Sequence, residues 1–292
     1  MIAPAKLDQV VVMPGPEVAW GSSGGSHRSG VYTFQEFPIH DDSAGIHFNT
    51  FFCRHPTGFH APEHKHNFDQ VRYVISGEAS YGKLRCGPGS FGYFPEGVPY
   101  GPESHRDTNQ ILLQFPGPTH GPFFDRETTA KASPRMREAG YVFADGMCTR
   151  PDGTTADGLE ACWEFLAGHK IEYPRPRYGK PVFVNTQHLP WRPFEEGVAI
   201  KPLGYFNENG PNSFLVRFDP GASTQPGRLG CMQARFVIDG EVDYAGQSCP
   251  GVSVLFYPAG APYEAMHSRD GAVVLVVQLA MPGGEPPPLQ VI

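Results

Sequence analysis

Charged residues are scarce in this sequence. Asp, Glu, Lys and Arg make up 18% of its 292 residues, against about a quarter in an average soluble protein. Lys and Arg form no cluster, and the formal net charge is -7, which argues against nucleic acid or an anionic membrane as a partner. No apolar run reaches the roughly 18 residues that a membrane-spanning helix needs. We therefore expect neither a nucleic-acid-binding protein nor a membrane protein.

The sequence also lacks the marks of export. Its first residues do not combine a basic segment with a following apolar segment, as a signal peptide would. The six cysteines include no CxxC pair. In a chain of this length these features predict a cytoplasmic protein whose cysteines are buried free thiols.

Glycine and proline, in contrast, are abundant. The chain has 35 Gly and 31 Pro, without the regular period of collagen, and they fall between short apolar runs. Such punctuation is typical of an all-β protein with many turns.

A repeat divides the chain. Residues 58–100 align with residues 221–263 without a gap, at an offset of 163, and 14 of the 43 aligned positions are identical. An ungapped match that includes glycines and prolines indicates two copies of one β-domain, a barrel or a sandwich. We expect a first barrel in residues 1–118, a partly helical connector in 119–202 and a second barrel in 203–292.

Two helices are expected in the connector. Residues 125–140 favour a helix that is interrupted near Pro134. Residues 155–170 are a stronger prediction, because apolar residues recur at helical spacing. Asp157 can cap the start of this helix, and Gly168 lies near its end.

The first copy contains two spaced motifs. One has Gly58, His64, His66, Gln70 and Gly77, separated by five, one, three and six residues. The other has Gly89, Pro95, Gly97 and Tyr100, separated by five, one and two residues. In this spacing the chain resembles a bicupin of the cupin superfamily, which implies an all-β fold of two tandem cupin-type β-barrels (double-stranded β-helices). The resemblance also implies one divalent metal ion bound by two His and a Glu of the first motif and a His of the second. Here Gln70 replaces the Glu and Tyr100 replaces the last His.

The two histidines are the basis of the predicted metal site. Residues i and i+2 of a strand face the same side, so His64 and His66 point into one cavity. Imidazole binds Fe, Mn, Ni and Zn, and we expect one of these ions, held by His64, His66, Gln70 and His105. The alternative is that the histidines line a pocket without metal.

The second copy bears on the roles of Gln70 and Tyr100. It has Gly227 and Leu229 in place of the histidines, yet it retains Gln233 and Tyr263. This favours a structural role for each Gln–Tyr pair, in which the amide and phenol are hydrogen-bonded inside the barrel. A direct role in the first barrel, as ligand or substrate contact, remains the alternative.

We expect an enzyme that acts on a small organic substrate, with aromatic character suggested by nearby rings. The resemblance implies a dioxygenase-like oxidoreductase. In such an enzyme we expect Tyr100 to act as hydrogen-bond donor or general acid, and Gln70 to orient the substrate or a bound water. His60 joins these catalytic candidates if its strand is regular past Pro62. A metal-assisted isomerase, lyase or cyclase, or a non-catalytic binding or sensing protein, is the alternative. Exposed edge strands favour a homodimer.

Overall fold

The apolar runs between the glycine and proline turns form strands, which gather into two compact units. The structure, a computed structural model, describes residues 8–24, 30–41, 46–117, 123–124, 126–206 and 211–279. The first unit comprises Trp20–Val184, and the second comprises Met1–Ala19 together with Asn185–Ile292.

The elements follow one another along the chain with many short strands. The two α-helices are α1 (Arg126–Glu138) and α2 (Gly158–Ala167), and two 3-10 turns occupy Gly15–Glu17 and Thr186–His188. The strands are β1 (Val11–Met13), β2 (Trp20–Gly24), β3 (Val31–Glu36), β4 (Ile39–Asp41), β5 (Ile46–His55), β6 (His60–Ala61), β7 (Phe68–Tyr81), β8 (Leu84–Cys86), β9 (Ser90–Phe94), β10 (Glu103–Pro116), β11 (Val142–Ala144), β12 (Met147–Thr149), β13 (Thr155–Asp157), β14 (Val182–Asn185), β15 (Arg192–Glu195), β16 (Val198–Tyr205), β17 (Asn212–Phe218), β18 (Gly227–Arg228), β19 (Gln233–Tyr244), β20 (Gln247–Pro250), β21 (Val254–Tyr257), β22 (Pro262–Tyr263), β23 (Met266–His267) and β24 (Ala272–Gln278).

Strands β7 and β10 lie at the centre of the first unit's sheet. The strand order is β14-β9-β7-β10-β5-β3-β2, with β4, β6 and β8 paired to its members. Strand β7 places Gln70 opposite both Gln114 of β10 and Phe94 of β9. Because alternate residues of a strand face the same side, the side chains of Gln70 and Arg72 share the inner face of this sheet.

Two helices and a small three-stranded sheet, β11-β12-β13, complete the first unit. Helix α2 follows Asp157, whose carboxylate accepts hydrogen bonds from the backbone N–H groups of Leu159 (2.9 Å) and Glu160 (3.1 Å). It ends at Gly168, which adopts the left-handed conformation that favours glycine, with φ of 75°. The predicted helix and both of its predicted end signals are confirmed.

Helix α1 differs from its prediction. It continues through Pro134 as one helix, so the predicted interruption is wrong. Proline removes one backbone donor from a helix, but packing compensates here. Ala132 and Met136 are fully buried in a cluster with Ala161 and Cys162 of α2, and helices in proteins owe most of their stability to such packing.

The second unit has its own large sheet, in the order β1-β21-β19-β24-β17-β16-β15. Its edge strand β1 comes from the start of the chain and pairs antiparallel with β21, with Val12 opposite Leu255. The interior is filled by one apolar cluster that includes Leu229, Val237 and Met266. The N-terminal residues thus complete the unit formed by the C-terminal part of the chain.

Strand registers confirm the repeat. Gln70 pairs with Phe94 in the first unit, and Gln233 pairs with Tyr257 in the second. Their positions differ by the predicted offset of 163. The described chain is mainly β, with one large sheet in each unit, so the predicted fold class of two tandem cupin-type barrels is confirmed.

Two further expectations can be compared with the structure. All six cysteines are buried free thiols, as predicted. Among the described residues, neither helix has the length and apolar character that a membrane crossing requires.

Candidate functional site

His64 and His66 lie inside the first unit, between β6 and β7. Both are buried, at 5% and 8% exposure, and their ring centroids are 5.0 Å apart. The backbone of His64 bonds to that of Tyr100 in both directions, at 3.0 and 2.9 Å. This isolated bridge joins the two sequence motifs, so the structure brings the two histidines and Tyr100 together.

The hydroxyl of Tyr100 is the centre of this cluster. It lies 2.8 Å from Nε2 of His66 and accepts a hydrogen bond from Nη2 of Arg72 at 2.9 Å. The amide nitrogen of Gln70 is 3.5 Å from the same hydroxyl. With its amide oxygen turned towards Arg72, Gln70 instead accepts from the guanidinium Nε (2.8 Å) and Nη2 (3.1 Å). Arg72 is thus a member of the cluster that connects Gln70 with Tyr100.

Arg72 is a buried cation with a buried counter-charge. Its Nη1 donates to the carboxylate of Glu103 and, at 3.0 Å, to the hydroxyl of Tyr81. Burial alone would raise the pKa of Glu103, but the Arg72 guanidinium holds it well below its usual range. Burial would likewise lower the pKa of Arg72, and the Glu103 carboxylate raises it. The two groups therefore form an ion pair that cancels the charge inside the barrel.

His105 and His60 lie in different surroundings from those of the predicted metal site. His105 is buried, and its Nε2 lies 2.7 Å from the Glu103 carboxylate. Its ring stacks on His55, at 4.2 Å between centroids. Burial, followed by the nearby His105, holds the pKa of His55 well below its usual range, so His55 is neutral. His60 is exposed on the two-residue strand β6.

The donor set does not fit a divalent metal ion. His64 alone has the orientation of a ligand, because its Nδ1 donates to the carbonyl of Pro62 at 2.7 Å and leaves the lone pair on Nε2. His66 and Tyr100 are hydrogen-bonded to each other, and the Arg72 cation contacts Tyr100. The nearby carboxylate, Glu103, is already paired with that cation. A divalent ion here would meet neutral donors, and the nearby carboxylate is already balanced by Arg72. The described residues contain no group of three or more His, Cys, Asp or Glu placed to hold a metal.

A cavity of about 230 Å³ lies in the same unit. The inner face of the sheet forms one wall, with Asn49, Cys53 and His55 from β5 and Gln114 from β10, and helices α1 and α2 form the other. Aromatic rings contribute much of the lining, namely Tyr32, Phe51, Phe68, Phe124 and Trp163. The lining is therefore mixed, with aromatic rings beside polar groups that include Asn49, His55, Gln114 and Arg126. Small-molecule sites usually combine an apolar lining with such hydrogen-bonding groups.

The cavity and the Tyr100 cluster are adjacent. Phe68 lines the cavity and stacks on His66, at 4.4 Å between centroids and an angle of 11°. The amides of Gln114 and Gln70 are 2.8 Å apart, and Asn49 Nδ2 is 3.4 Å from the Gln114 oxygen. A row of three amides thus runs from the cavity wall to the buried cluster.

Sequence reasoning found His64, His66, Gln70 and Tyr100 but missed the cavity and the ion pair. A signal for Arg72 was present, since it follows Gln70 by two residues and recurs as Arg235 at the offset of 163. Residues two apart on a strand face the same side, which places this arginine on the inner face with Gln70. The cavity walls, in contrast, come from distant segments that carry no common motif.

Comparisons with known proteins agree with this fold. Residues 179–282 match the family model of the ChrR cupin-like domain. No curated protein matches the chain. Among solved structures, the chain is similar to a candidate dioxygenase from Nostoc punctiforme, with a TM-score of 0.63 and 14% identity over 95% of this chain and 86% of that chain. It is also similar to oxalate decarboxylase from Bacillus subtilis, with a TM-score of 0.59 and 13% identity over 96% and 80% of the two chains.

These likenesses show the fold. The Bacillus enzyme has Mn(II) centres, and the Nostoc protein is only a candidate dioxygenase. At such low identities the reaction and the metal do not transfer to this chain, so the geometry of its own residues has to carry the functional argument.

Proposed function

We propose that the first unit binds a small, uncharged organic molecule with an aromatic ring, in the cavity between the inner face of the sheet and helices α1 and α2. The observation that carries this proposal is the cavity itself, with aromatic walls and hydrogen-bonding groups from β5 and β10.

The size of the cavity supports a ligand with a single ring. An engineered apolar cavity of about 150 Å³ takes up benzene, and this cavity measures about 230 Å³. Tyr32, Phe68 and Trp163 line the cavity, and aromatic pairs in stacked or edge-on contact add to the energy of burial. Asn49 and Gln114 supply hydrogen bonds that orient a hydroxyl or carbonyl substituent.

The charge of the lining supports an uncharged ligand. His55 is neutral, and burial raises the pKa of the Cys53 thiol, which keeps its proton. Arg126, the cation in the cavity wall, already pairs with Glu36 at 3.0 Å. Among the described lining residues, an anionic ligand would meet only a cation whose charge Glu36 already balances, and burying such a charge is costly.

Binding tests this proposal directly. Ligand-observed NMR would compare phenol and benzyl alcohol with the anion benzoate. We expect the two uncharged probes to bind and benzoate to bind at least tenfold more weakly. His55→Phe keeps the stacked ring but removes its nitrogen atoms, and it should weaken the binding of phenol. His169→Phe, at an exposed position of the same unit, is the matched control.

A cavity-filling change gives the decisive outcome. Leu159→Trp would place a larger ring at the half-buried helix wall of the cavity and should abolish binding of the uncharged probes. Phenol binding that persists in this variant, or benzoate bound as well as phenol, would contradict the proposed site.

The metal-dependent reactions implied by the cupin resemblance do not form part of this proposal. A dioxygenase, and equally a metal-assisted isomerase, lyase or cyclase, would need an ion at His64 and His66, where the donor set does not fit one. We expect purified protein to contain much less than one Fe, Mn, Ni or Zn ion per chain. That content should not change in the double variant His64→Ala/His66→Ala. If the protein instead contained one ion per chain and the double variant lost it, the metal-dependent enzyme would be the better hypothesis.

A further inference from the structure

The second unit buries an arginine at the position that Arg72 occupies in the first. Arg235 is 1% exposed and stacks on the ring of Tyr257, with 3.7 Å between its Cζ and the ring centroid. Its Nε donates to the amide oxygen of Gln233 at 3.0 Å. Gln233, Arg235 and Tyr263 repeat Gln70, Arg72 and Tyr100 at the offset of 163, so the two barrels have the same polar core.

The counter-charge is not repeated. In the first unit Glu103 pairs with Tyr81 across the strands and neutralises Arg72. In the second unit Met266 pairs with Tyr244 at the corresponding register. The carboxylate has thus become a buried thioether, and Arg235 forms no ion pair with any residue that the structure describes.

A second difference adds a donor. Phe94, opposite Gln70, is replaced by Tyr257, opposite Gln233. The hydroxyl of Tyr257 and Nη2 of Arg235 are both buried without a hydrogen-bond partner. Compared with the first unit, this interior has lost an anionic acceptor and gained a phenol donor. Contacts with the aromatic faces of Tyr257 and Tyr263 and a bond to a neutral amide do not replace a full counter-charge for a buried guanidinium.

We propose that the second unit binds a small monovalent anion at the Nη2 of Arg235 and the hydroxyl of Tyr257. The charge of the anion balances the guanidinium, and its lone pairs accept from the Arg235 Nη2 and the Tyr257 hydroxyl. The surroundings restrict its size. The side chains of Leu229 and Met266 have exposed fractions of 2% and 0%. Space is also short at Gly227, where an added Cβ atom would lie 2.8 Å from the Tyr263 hydroxyl. Such close packing favours a halide or formate over any larger carboxylate.

Chloride is the first probe. Urea unfolding of the full chain would be followed in sodium chloride and in sodium gluconate at equal ionic strength, with Trp191 of the second unit as the fluorophore in a Trp20→Phe/Trp163→Phe background. We expect the unfolding midpoint to rise with chloride but not with gluconate, because a ligand that binds only the folded state stabilises it. Formate in place of chloride shows whether a small carboxylate also fits.

Three variants locate the effect. Tyr257→Phe restores the ring found in the first unit but removes one donor, and it should weaken chloride affinity about tenfold, as expected for a lost hydrogen bond to a charged group. Met266→Glu supplies the internal carboxylate of the first unit and should abolish the chloride response. Tyr205→Phe, at an exposed tyrosine of the same unit, should leave the response unchanged.

Crystals soaked in bromide provide a readout that does not depend on stability. We expect an anomalous peak within hydrogen-bond distance of the Arg235 Nη2 and the Tyr257 hydroxyl. Water at that place, a chain carboxylate paired with Arg235, or equal unfolding midpoints in chloride and gluconate would overturn the proposal. If Met266→Glu does not fold, Tyr257→Phe and the bromide peak still decide the question.

Discussion

The ion pair of Arg72 and Glu103 permits a quantitative prediction. Glu103→Met gives the first unit the residue that the second unit carries at the matching register. The exposed fraction of either charged side chain is below 8%, so the substitution leaves a buried guanidinium without its counter-charge. Removing one partner of a buried pair costs about 3–5 kcal/mol, and we expect the free energy of unfolding of the first unit to fall by that amount.

Urea unfolding followed by tryptophan fluorescence measures this loss. In a Trp191→Phe background the signal comes from Trp20 and Trp163, which both lie in the first unit. Glu127→Met is the matched control, since Glu127 forms an ion pair with Lys131 at 2.6 Å on the exposed surface of α1. An exposed pair of this kind contributes about 0–1 kcal/mol.

The pH dependence supplies a second, independent readout. The pKa of Glu103 in the folded chain lies well below its usual range. The carboxylate therefore stabilises the fold above the pKa of an ordinary carboxyl group, and this contribution disappears as the pH falls through the lowered value. The difference between the wild type and Glu103→Met should accordingly shrink in acid. A variant within about 0.5 kcal/mol of the wild type at neutral pH, the range of ordinary surface substitutions, would refute the buried ion pair.

Three further predictions concern stability. Burial raises the pKa of Asp69 from 3.8 to about 7 despite hydrogen bonds from Tyr93 and the backbone of Glu96, so the folded chain holds a proton that the unfolded chain releases. The free energy of unfolding should therefore decrease between pH 4 and 7, and Asp69→Asn should flatten that slope in urea titrations. Asp157→Ala removes the cap of α2 and should cost about 1 kcal/mol by the same assay. Gly77→Ala should cost clearly more than Gly58→Ala in thermal unfolding. Both glycines have positive φ, which strains any other residue by about 1–3 kcal/mol, but only at Gly77 would the new Cβ also lie 2.2 Å from a backbone oxygen.

The sequence specified the strands and the repeat well, because those signals are local. Glycine and proline mark the turns, and side-chain parity decides which residues share a face. The cap of α2 is equally local, and Asp157 was recognised from its neighbours alone. Helix α1 shows the limit of this reasoning. Pro134 is a helix breaker by its own chemistry, and only the packing of Met136 against α2 explains why the helix continues.

The candidate site was predicted in part for the same reason. The spacing of His64 and His66 predicted two rings on one strand that point into one cavity. The rings are buried with centroids 5.0 Å apart, but the residues lie between β6 and β7 and not on a strand. The ion pair could not be predicted from spacing, because Arg72 of β7 contacts Glu103 of β10, which is distant in the sequence. The pairing of β1 with β21 joins residues even farther apart in the sequence, and no sequence pattern near Val12 predicts it.

Comparison of the two copies explains why the second copy keeps the polar core although it lacks the histidines. Gln70, Arg72 and Tyr100 satisfy one another in the first unit, so losing any one would leave buried polar groups without partners. The same three residue types remain in the second unit, where Gly227 and Leu229 replace the histidines. The core therefore does not require the histidines, whereas the arginine always requires a negative charge. In the first unit that charge is Glu103, within the chain. In the second unit Met266 stands at that register, and no described residue forms an ion pair with Arg235. The proposed anion would supply the missing charge.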